Sequence, residues 1–384
     1  MSFYSKRCWA EIDLNALRQN LAWISHRVGD GVSIFAVVKA DAYGHGLKEI
    51  ASHLMTCGAN GFGVANLKEA FDIRQRGDGW PILMLGACTN EEREYAIRMN
   101  VMVTISRLKE AELFLKKAEE MKRPIQVQVK VDTGMGRLGI EPKDAIELVQ
   151  QIKKMETSRY LLLKGIYTHL AAAEDDEVFT RNQLSAFTEV VNGLKRKNIF
   201  LDYVHASSSA GILFEDNQLF NTVRPGLILY GIVPTGERII THRIQRFLSP
   251  ALSLKCKVSF IKSIQPGKTI SYGHTFTAER QMKVATLTAG YGDGYHRTIS
   301  GKGYVLIRNR RCPILGRITM DQMIVDVSSV TDVDCDDECV LIGKQGEEEI
   351  SITQVAQWAN TIPWEILTSL NYRVPRIYIG GSAS

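Results

Sequence analysis

Short apolar runs alternate with amphipathic stretches between Val32 and Gly231. The runs are rich in β-branched residues, which predicts buried β-strands. The stretches between them place apolar residues at helical spacing, as in Glu91 to Met99, Leu108 to Met121 and Phe179 to Lys195. This alternation is typical of βα units around a parallel sheet. The eight predicted strands are Ser33 to Ala40, Gly61 to Asn66, Pro81 to Gly86, Val101 to Ser106, Ile125 to Asp132, Leu162 to His169, Tyr203 to Ser208 and Leu227 to Gly231.

Eight parallel strands with eight connections over about 200 to 250 residues match the size of a (β/α)8 barrel. The alternative is an open doubly wound sheet, which usually carries a Gly-x-Gly-x-x-Gly turn after its first strand. Gly44-His45-Gly46 follows the first predicted strand and does not match that pattern. We therefore predict an N-terminal TIM-type barrel over residues 12–245.

The pattern changes after Ser249 and Pro250, where strand-like runs are separated by turn signals. Two helices are predicted among them, Ile352 to Trp358 and Trp364 to Leu370. We predict a mainly β domain over residues 246–384, with residues 1–11 pairing with it. The predicted strands are Ser253 to Ile261, Met282 to Leu287, Tyr304 to Ile307, Met323 to Val327 and Cys339 to Ile342.

Composition narrows the range of partners. Of the 384 residues, 45% are hydrophobic and 23% are charged, which is typical of a folded protein. The net charge is +5, with both signs interspersed, so a nucleic-acid partner is not expected. No apolar run approaches the ~20 residues of a membrane span, and the first residues lack a signal-peptide core.

The seven cysteines are scattered and form no Cys-x-x-Cys pair, which favours reduced thiols and a cytoplasmic location. Cys335 and Cys339 lie among acidic residues, but further soft ligands are missing nearby. We therefore predict no metal site.

Candidate chemistry begins with Lys39, which ends an otherwise apolar predicted strand. Burial disfavours the ammonium and lowers its pKa, so such a lysine is a candidate nucleophile or Schiff-base former. The plainer alternative is a lysine that extends to solvent at a strand end. Barrel active sites lie at the carboxyl ends of the strands, and other polar groups gather there. They are Lys130 to Gly139, Tyr167 to His169, His205 to Ser209, and Arg224-Pro225-Gly226, which precedes or opens the eighth run.

At this point the sequence resembles a known family. The stretch Ala36-Val37-Val38-Lys39-Ala40-Asp41-Ala42-Tyr43-Gly44-His45-Gly46 resembles the pyridoxal phosphate signature of alanine racemases of fold type III. The resemblance spans nearly the whole chain. It continues through Val129 to Gly139, Thr168 to Phe179, Arg224-Pro225-Gly226, Ser271-Tyr272-Gly273, Gly290 to Tyr295, Gly316 to Gln322 and Tyr372 to Arg376.

The resemblance implies an enzyme that interconverts L-alanine and D-alanine with pyridoxal 5'-phosphate, supplying D-alanine for peptidoglycan. It implies that Lys39 holds the cofactor and moves the α-proton at one face of the substrate. Tyr272, contributed by the other subunit of a homodimer, acts at the opposite face. His169 and Arg224 are expected to support Tyr272. Arg224 is also expected to face the pyridine nitrogen, where a guanidinium donates a hydrogen bond without giving up its proton.

Phosphate binding is expected from Tyr43, Ser209, the backbone around Gly226, and Tyr372. The family often has asparagine before the serine, whereas this chain has Ser208. That departure leaves one supporting hydrogen bond in doubt, because serine is shorter.

Substrate binding is expected from Arg137, which also binds the cofactor's phenolic oxygen, and from the backbone of Met320 of the other subunit. Tyr291 is expected near the entrance to the partner's site. Lys130 occupies the position of a lysine that the family sometimes carries as a carbamate, which would relieve repulsion between two cations.

Alternatives remain in substrate and reaction. A serine or broad-specificity racemase shares the machinery, although the ring of Tyr372 would fill space beside an alanine methyl group. A barrel-type amino-acid decarboxylase is less favoured, because Ser271-Tyr272-Gly273 and Met320-Asp321 resemble the racemases more. A non-catalytic cofactor carrier on the same barrel would lack the second domain.

Overall fold

The computed structural model describes residues 6–214, 220–234, 236 and 244–381. The chain divides into two compact units. The barrel unit consists of Leu17–Ala42 and Leu47–Ser249. The C-terminal unit consists of the residues up to Ala16, the short segment Tyr43–Gly46, and the chain from Pro250 onward.

Strand β1 (Cys8–Asp13) and helix α1 (Leu14–Val28) begin the described chain. Within the described residues, a sheet of eight parallel strands then forms the barrel. Its strands are β2 (Ser33–Val37), β3 (Gly61–Val64), β4 (Ile82–Ala87), β5 (Met102–Ile105), β6 (Ile125–Lys130), β7 (Leu161–Tyr167), β8 (Tyr203–His205) and β9 (Thr222–Val223). The helices that follow are α2 (Leu47–Thr56), α3 (Leu67–Arg74), α4 (Glu92–Arg98), α5 (Leu108–Met121), α6 (Pro142–Met155), α7 (Glu177–Arg196) and α8 (Ser209–Phe214).

The sheet order is β8-β7-β6-β5-β4-β3-β2-β9, so β8 and β9 face each other where the barrel closes. A side chain helps to bridge them. Asn221 accepts a hydrogen bond from the backbone N–H of Val204 at 2.7 Å and donates one to the carbonyl of Asp202 at 3.0 Å. The barrel is therefore nearly closed, and the predicted fold class is confirmed.

The predicted eighth strand was wrong. The strand is Thr222–Val223, and the apolar run after it forms a 3-10 helix at Leu227–Tyr230. All four residues of that helix are buried, and a short buried run has no periodicity that separates helix from strand. Pro225 also has no N–H for a sheet hydrogen bond. Arg224 consequently follows its strand, as the other polar groups of the predicted site do.

Helix ends follow local chemistry. Asp176 caps α7 by accepting the N–H of Phe179 at 2.9 Å, and Asn66 caps α3 by accepting the N–H of Glu69 at 3.0 Å. The predicted helix Leu108 to Met121 is observed with the same bounds. Among the described residues, every helix is too short or too polar to span a bilayer.

In the C-terminal unit the described residues form a nine-stranded sheet, ordered β18-β17-β14-β15-β16-β13-β10-β1-β19, and a small hairpin. Strand β1 runs antiparallel to β10 and parallel to β19. The strands are β10 (Leu252–Ile264), β11 (Thr269–Ile270), β12 (Phe276–Thr277), β13 (Met282–Leu287), β14 (Tyr304–Ile307), β15 (Arg310–Leu315), β16 (Met323–Asp326), β17 (Glu338–Gln345), β18 (Glu348–Ile350) and β19 (Arg376–Ile379). Two helices follow β18, α9 (Ile352–Ala359) and α10 (Pro363–Thr368). The 3-10 turns are Glu156–Ser158, Leu227–Tyr230, Tyr272–His274, Tyr291–Asp293 and Arg297–Ile299.

All five strands predicted for this unit are observed, and both helices lie within two residues of their predicted positions. The pattern missed β15, which begins with two exposed arginines and contains Pro313. Proline and charge ordinarily argue against a strand. Cys8, Cys256 and Cys339 lie opposite one another on three neighbouring strands and are buried as free thiols, where they pack as small apolar side chains.

Gly44 provides a test of this packing. It has φ of +77°, and an added Cβ would collide with the carbonyl of Leu367. Gly29 has nearly the same φ, +82°, with nothing within 4 Å of its Cβ position. We expect Gly29→Ala to cost roughly 1–2 kcal/mol of unfolding free energy, the cost of a left-handed residue. Gly44→Ala should cost clearly more, as measured by urea unfolding followed by circular dichroism. Equal losses would mean that the contact with Leu367 is unimportant.

Candidate active site

The predicted barrel residues gather at one rim. Lys39 follows β2, Lys130 ends β6, His169 follows β7 and Arg224 follows β9. Because the carboxyl ends of parallel strands lie at the same end of a barrel, these side chains share one neighbourhood. The nearby charges of Arg224, Lys130, Arg137 and Lys39 all act on the pKa of His169, after burial, and all lower it. At neutral pH the His169 imidazole is therefore uncharged.

The backbone after Lys39 makes an unusual left-handed turn. Ala40, Asp41, Ala42 and Tyr43 have φ values of 52°, 55°, 53° and 52°. Residues other than glycine disfavour this region by roughly 1–2 kcal/mol each, so the surrounding structure must impose it. Such strain is often concentrated at functional sites.

Two carboxylates hold this turn. Glu69 accepts the N–H of Ala40 and that of Ala65, each at 2.7 Å. Asp41 accepts the N–H of Leu47 at 2.7 Å. Burial lowers the pKa of the Lys39 amine, the cations Arg137 and Arg224 lower it further, and Glu69 opposes them. The strained turn thus follows directly on an amine that is more easily deprotonated than an exposed lysine.

Arg224 is 3% exposed and is held on several sides. One terminal nitrogen, Nη1, donates to Nδ1 of His205. The other, Nη2, donates to the carbonyls of Thr168 at 2.8 Å and Ala206 at 2.9 Å and lies 3.4 Å from Nδ1 of His169. None of these bonds uses Nε. Burial lowers the pKa of Arg224 to about 10, so the guanidinium stays protonated at neutral pH.

The sequence reasoning placed Tyr167 and His205 at the rim but missed the buried hydrogen bonds that join them to Thr104, Gln128 and Arg224. His205 donates from Nε2 to Oε1 of Gln128 at 2.7 Å, and its ring stacks on Tyr167 with centroids 4.8 Å apart. The Tyr167 hydroxyl hydrogen-bonds with Thr104 at 2.7 Å. Burial, Arg224 and Lys130 lower the pKa of His205, which leaves a neutral ring whose Nδ1 accepts from Arg224. The available signal was Gln128, a second glutamine in the alternating sequence Ile-Gln-Val-Gln-Val-Lys of β6.

Lys130 is the most isolated charge of this group. It is 2% exposed, its Nζ has no hydrogen-bond partner among the described residues, and it lies 5.5 Å from the centre of the Tyr167 ring. Burial and the neighbouring Arg224 and Arg137 lower its pKa to about 8, against the opposing effect of Asp132. A buried ammonium without a partner is unfavourable.

Charge at the rim is mostly positive. Lys39, Lys130, Arg137 and Arg224 supply four cations that influence one another, whereas Glu69 and Asp132 supply the carboxylates. A cleft of this sign selects anionic groups such as phosphate and carboxylate. Ser209 and Gly226 also meet at this rim.

The Ser209 hydroxyl accepts the N–H of Gly226 at 3.0 Å and that of Ile228 at 3.3 Å. The two amides and this hydroxyl therefore lie together, and the hydroxyl can donate its own proton to an anion.

The remaining predicted residues lie in the C-terminal unit. Tyr272, Tyr291, Met320 and Tyr372 are 71%, 40%, 52% and 95% exposed. Tyr43 is buried, its hydroxyl accepts a hydrogen bond from the Trp364 side chain, and burial raises its pKa.

The loops of the exposed residues contact one another. The N–H of Tyr291 donates to the carbonyl of Thr319 at 3.1 Å, and that of Gly292 to the carbonyl of Met320 at 2.8 Å. Ser271, next to Tyr272, donates from Oγ to the carbonyl of Arg317. The structure therefore presents the predicted residues as two sets, one in each unit.

Comparisons with known proteins cover nearly the whole chain. The family described as the alanine racemase N-terminal domain matches residues 12–234, and the alanine racemase C-terminal domain matches residues 251–378. The chain belongs to the alanine racemase family. The alanine racemase of Halothermothrix orenii is 38% identical over 97% of this chain and 98% of that protein. That of Carboxydothermus hydrogenoformans is 39% identical over 97% and 99%.

Solved structures of the alanine racemase family have the same fold. The enzyme from Clostridium difficile 630 matches with a TM-score of 0.90 and 34% identity, covering 98% of this chain and 96% of that one. The Bacillus anthracis enzyme, with bound L-Ala-P, matches with a TM-score of 0.88 and 34% identity, covering 100% and 97%. The sequence resemblance to this family is thereby confirmed.

Lys130 makes a pH-dependent contribution to stability that can be measured. Its pKa of about 8 lies below the ordinary value near 10.4, so between these values the unfolded chain binds more protons and stability rises with pH. Near pH 7 the buried charge costs up to about 3 kcal/mol. We expect Lys130→Met to be the more stable protein at pH 7 and to lose that advantage near pH 10, in urea unfolding in buffers free of carbon dioxide.

The matched control is Lys164→Met, because Lys164 is paired with Asp202 at 2.7 Å. This variant should show no such stabilisation. A Lys130→Met variant whose stability follows that of the unsubstituted protein at every pH would contradict the account.

Proposed function

We propose that the protein interconverts L-alanine and D-alanine with pyridoxal 5'-phosphate held at the rim of the barrel, residues 12–245 being the cofactor-binding domain. The observation that carries the proposal is a cluster of four cations that includes the Lys39 amine, whose pKa is lowered, just after β2, in a chain of the alanine racemase family. The proposed role is the supply of D-alanine for peptidoglycan in the cytoplasm.

The residues at the rim fit the chemistry of this cofactor. Its aldehyde reacts with a neutral amine. Lys39 supplies one, because its lowered pKa makes the ammonium easier to deprotonate. Its phosphate requires donors, and the Ser209 hydroxyl with the N–H groups of Gly226 and Ile228 supplies them. Arg137 is exposed and provides a cation for the phenolic oxygen and the substrate carboxylate. Tyr43 and Tyr372 complete the proposed phosphate site with their hydroxyl groups.

Arg224 is proposed to face the ring nitrogen of the cofactor with Nε, the nitrogen not used in its contacts with His205, Thr168, Ala206 and His169. When bound, the cofactor delocalises negative charge that develops at the α-carbon of the substrate. A guanidinium keeps its proton, so Arg224 donates a hydrogen bond without transferring a proton to the ring. That limits how much charge the ring accepts.

Two groups are proposed to move the α-proton. Lys39 takes or returns it at one face, and the partner subunit's Tyr272 does so at the other. His169 can assist the tyrosine, since its neutral ring accepts from Arg224 at Nδ1 and therefore carries its proton at Nε2. A donor at Nε2 can stabilise a phenolate by hydrogen bonding.

A homodimer is proposed to complete each site. Tyr272, Tyr291 and Met320 are exposed on the C-terminal unit, and their loops hydrogen-bond to one another. A second copy of the chain would cover them, with Tyr291 near the entrance and the backbone of Met320 assisting the substrate carboxylate. Tyr372 would lie beside the substrate methyl group and favour alanine, with serine a slower substrate.

Lys130 is proposed to carry a carbamate. Its neutral amine attacks carbon dioxide: an N–C bond forms, one C=O π bond of carbon dioxide breaks, and one N–H proton is released to solvent. The product is an anion that interacts with Arg224 and Arg137, which removes the repulsion that the unmodified ammonium experiences from them. Adding bicarbonate should therefore stabilise the unsubstituted protein and leave Lys130→Met unchanged.

Incubation with L-alanine in deuterated water tests the reaction directly. We expect α-deuteration together with D-alanine, because the proton is exchanged with solvent as it is moved. Borohydride reduction followed by peptide mapping should place a pyridoxyl group on Lys39. Release of carbon dioxide would indicate a decarboxylase instead, and an inert protein would indicate a carrier.

Mixing two inactive variants tests whether the sites are shared. In dimers that combine a Lys39→Ala chain with a Tyr272→Phe chain, one of the two sites contains both intact residues. A random mixture should therefore recover about a quarter of full activity, as expected for a two-fold dimer. No recovery would mean that both residues act within one chain. Tyr95→Phe, at a tyrosine 61% exposed on the barrel unit, is the control and should keep full activity.

A further inference from the structure

Two arginines, Arg373 and Arg376, follow Tyr372, and each holds a different loop of the C-terminal unit. Arg376 donates from Nε to the carbonyl of Gly44 at 2.9 Å, next to Tyr43. Its Nη1 and Nη2 donate to the carbonyls of Asn371 and Leu370, each at 2.7 Å. The main chain on both sides of Tyr372 is thereby tied to the loop of Tyr43.

Arg373 reaches in another direction, to two carboxylates. Its Nη2 donates to Oδ1 of Asp321 at 2.6 Å, and its Nε lies 3.5 Å from Oδ1 of Asp293. Asp321 directly follows Met320, and Asp293 lies two residues after Tyr291. One guanidinium therefore joins the loops that carry Tyr291 and Met320 to the segment that carries Tyr372.

The Asp293 end of this link is firmly anchored. The Asp293 side chain is 8% exposed, and its Oδ2 accepts the N–H of Gly290 at 3.0 Å. Asn371 adds a parallel bond, donating from Nδ2 to the carbonyl of Gly292 at 2.8 Å. Asp321 is 57% exposed, and backbone bonds from Tyr291 and Gly292 already join the Met320 loop to the Tyr291 loop, so Arg373 adds the side-chain link from the Met320 loop to the Tyr372 segment.

We propose that Arg373 is a positioning residue that holds the Met320 loop in the arrangement needed to bind the substrate carboxylate. The inference rests on the proposed function, in which the backbone of Met320 assists that carboxylate. Exposed ion pairs contribute little to overall stability, and Arg373 is 39% exposed. Its loss should therefore change substrate binding rather than the folding of the unit.

The test compares Arg373→Gln, Asp321→Asn and the double variant with Arg308→Gln. Arg308 is a matched control in the same unit, bonded to Asp337 through Nε at 2.7 Å and Nη2 at 3.1 Å. We expect Arg373→Gln to raise KM for L-alanine and the inhibition constant of propionate together, each about tenfold, while kcat changes less than about twofold. Propionate serves as the probe because it has the carboxylate of alanine without its amine.

The two partners should act as one unit. Asp321→Asn should change KM in the same direction, and the double variant should be no worse than Arg373→Gln alone, because contacting partners are not additive. The unfolding midpoint of each variant should stay close to that of Arg308→Gln. Additive effects, or KM and inhibition constants equal to those of the control, would overturn the proposal.

A measurement that does not depend on enzyme activity separates this inference from the proposed function. In the methyl NMR spectrum of the protein labelled at methionine, the Met320 signal is assigned with Met320→Leu. Arg373→Gln should shift or broaden that signal, and Arg308→Gln should leave it in place. A shifted signal in a protein that does not racemise alanine would reject the proposed function alone. An unchanged signal in an active enzyme would reject the role of Arg373.

Discussion

The buried charge of Arg224 is the constraint on which the rim of the barrel depends. The guanidinium is 3% exposed and stays protonated at neutral pH. The groups in contact with it must therefore be uncharged hydrogen-bond acceptors. Two backbone carbonyls and the neutral ring of His205 are such acceptors. His205 can accept because Gln128 takes its other ring proton. Polar groups deep in the barrel thus determine which atoms face the site.

The same charge affects several titratable neighbours. Arg224 lowers the pKa of Lys39, Lys130 and His169, in each case in addition to the effect of burial. A site with this surplus of positive charge is incomplete without anions, which is what a phosphate, a substrate carboxylate and a carbamate on Lys130 would supply. The excess of positive charge therefore explains two things: why the lysines at the rim have lowered pKa values, and why the site suits an anionic cofactor and substrate.

The C-terminal unit contributes in a different way. Tyr272, Tyr291, Met320 and Tyr372 are exposed, and they lie in loops or short 3-10 turns and not in strands or α-helices. Side chains link these loops: Arg373 connects two acidic residues of neighbouring loops, and Arg376 holds carbonyl groups around Tyr372. Such contacts add little to stability but define geometry, so a function that uses these loops is sensitive to residues that never touch the substrate.

The sequence by itself determined the parallel barrel, the β domain and the rim residues such as Lys39, because hydrophobic periodicity and the carboxyl ends of parallel strands are local and topological features. It could not distinguish strand from helix at Leu227–Tyr230, since a short run buried on all sides has the same composition in either state. The partnership of His205 with Gln128, 77 positions apart, and that of Arg373 with Asp321, 52 positions apart, were decided by the tertiary structure alone. Hydrogen bonds and ion pairs depend on distances of a few ångströms, and only the folded chain brings such distant residues that close.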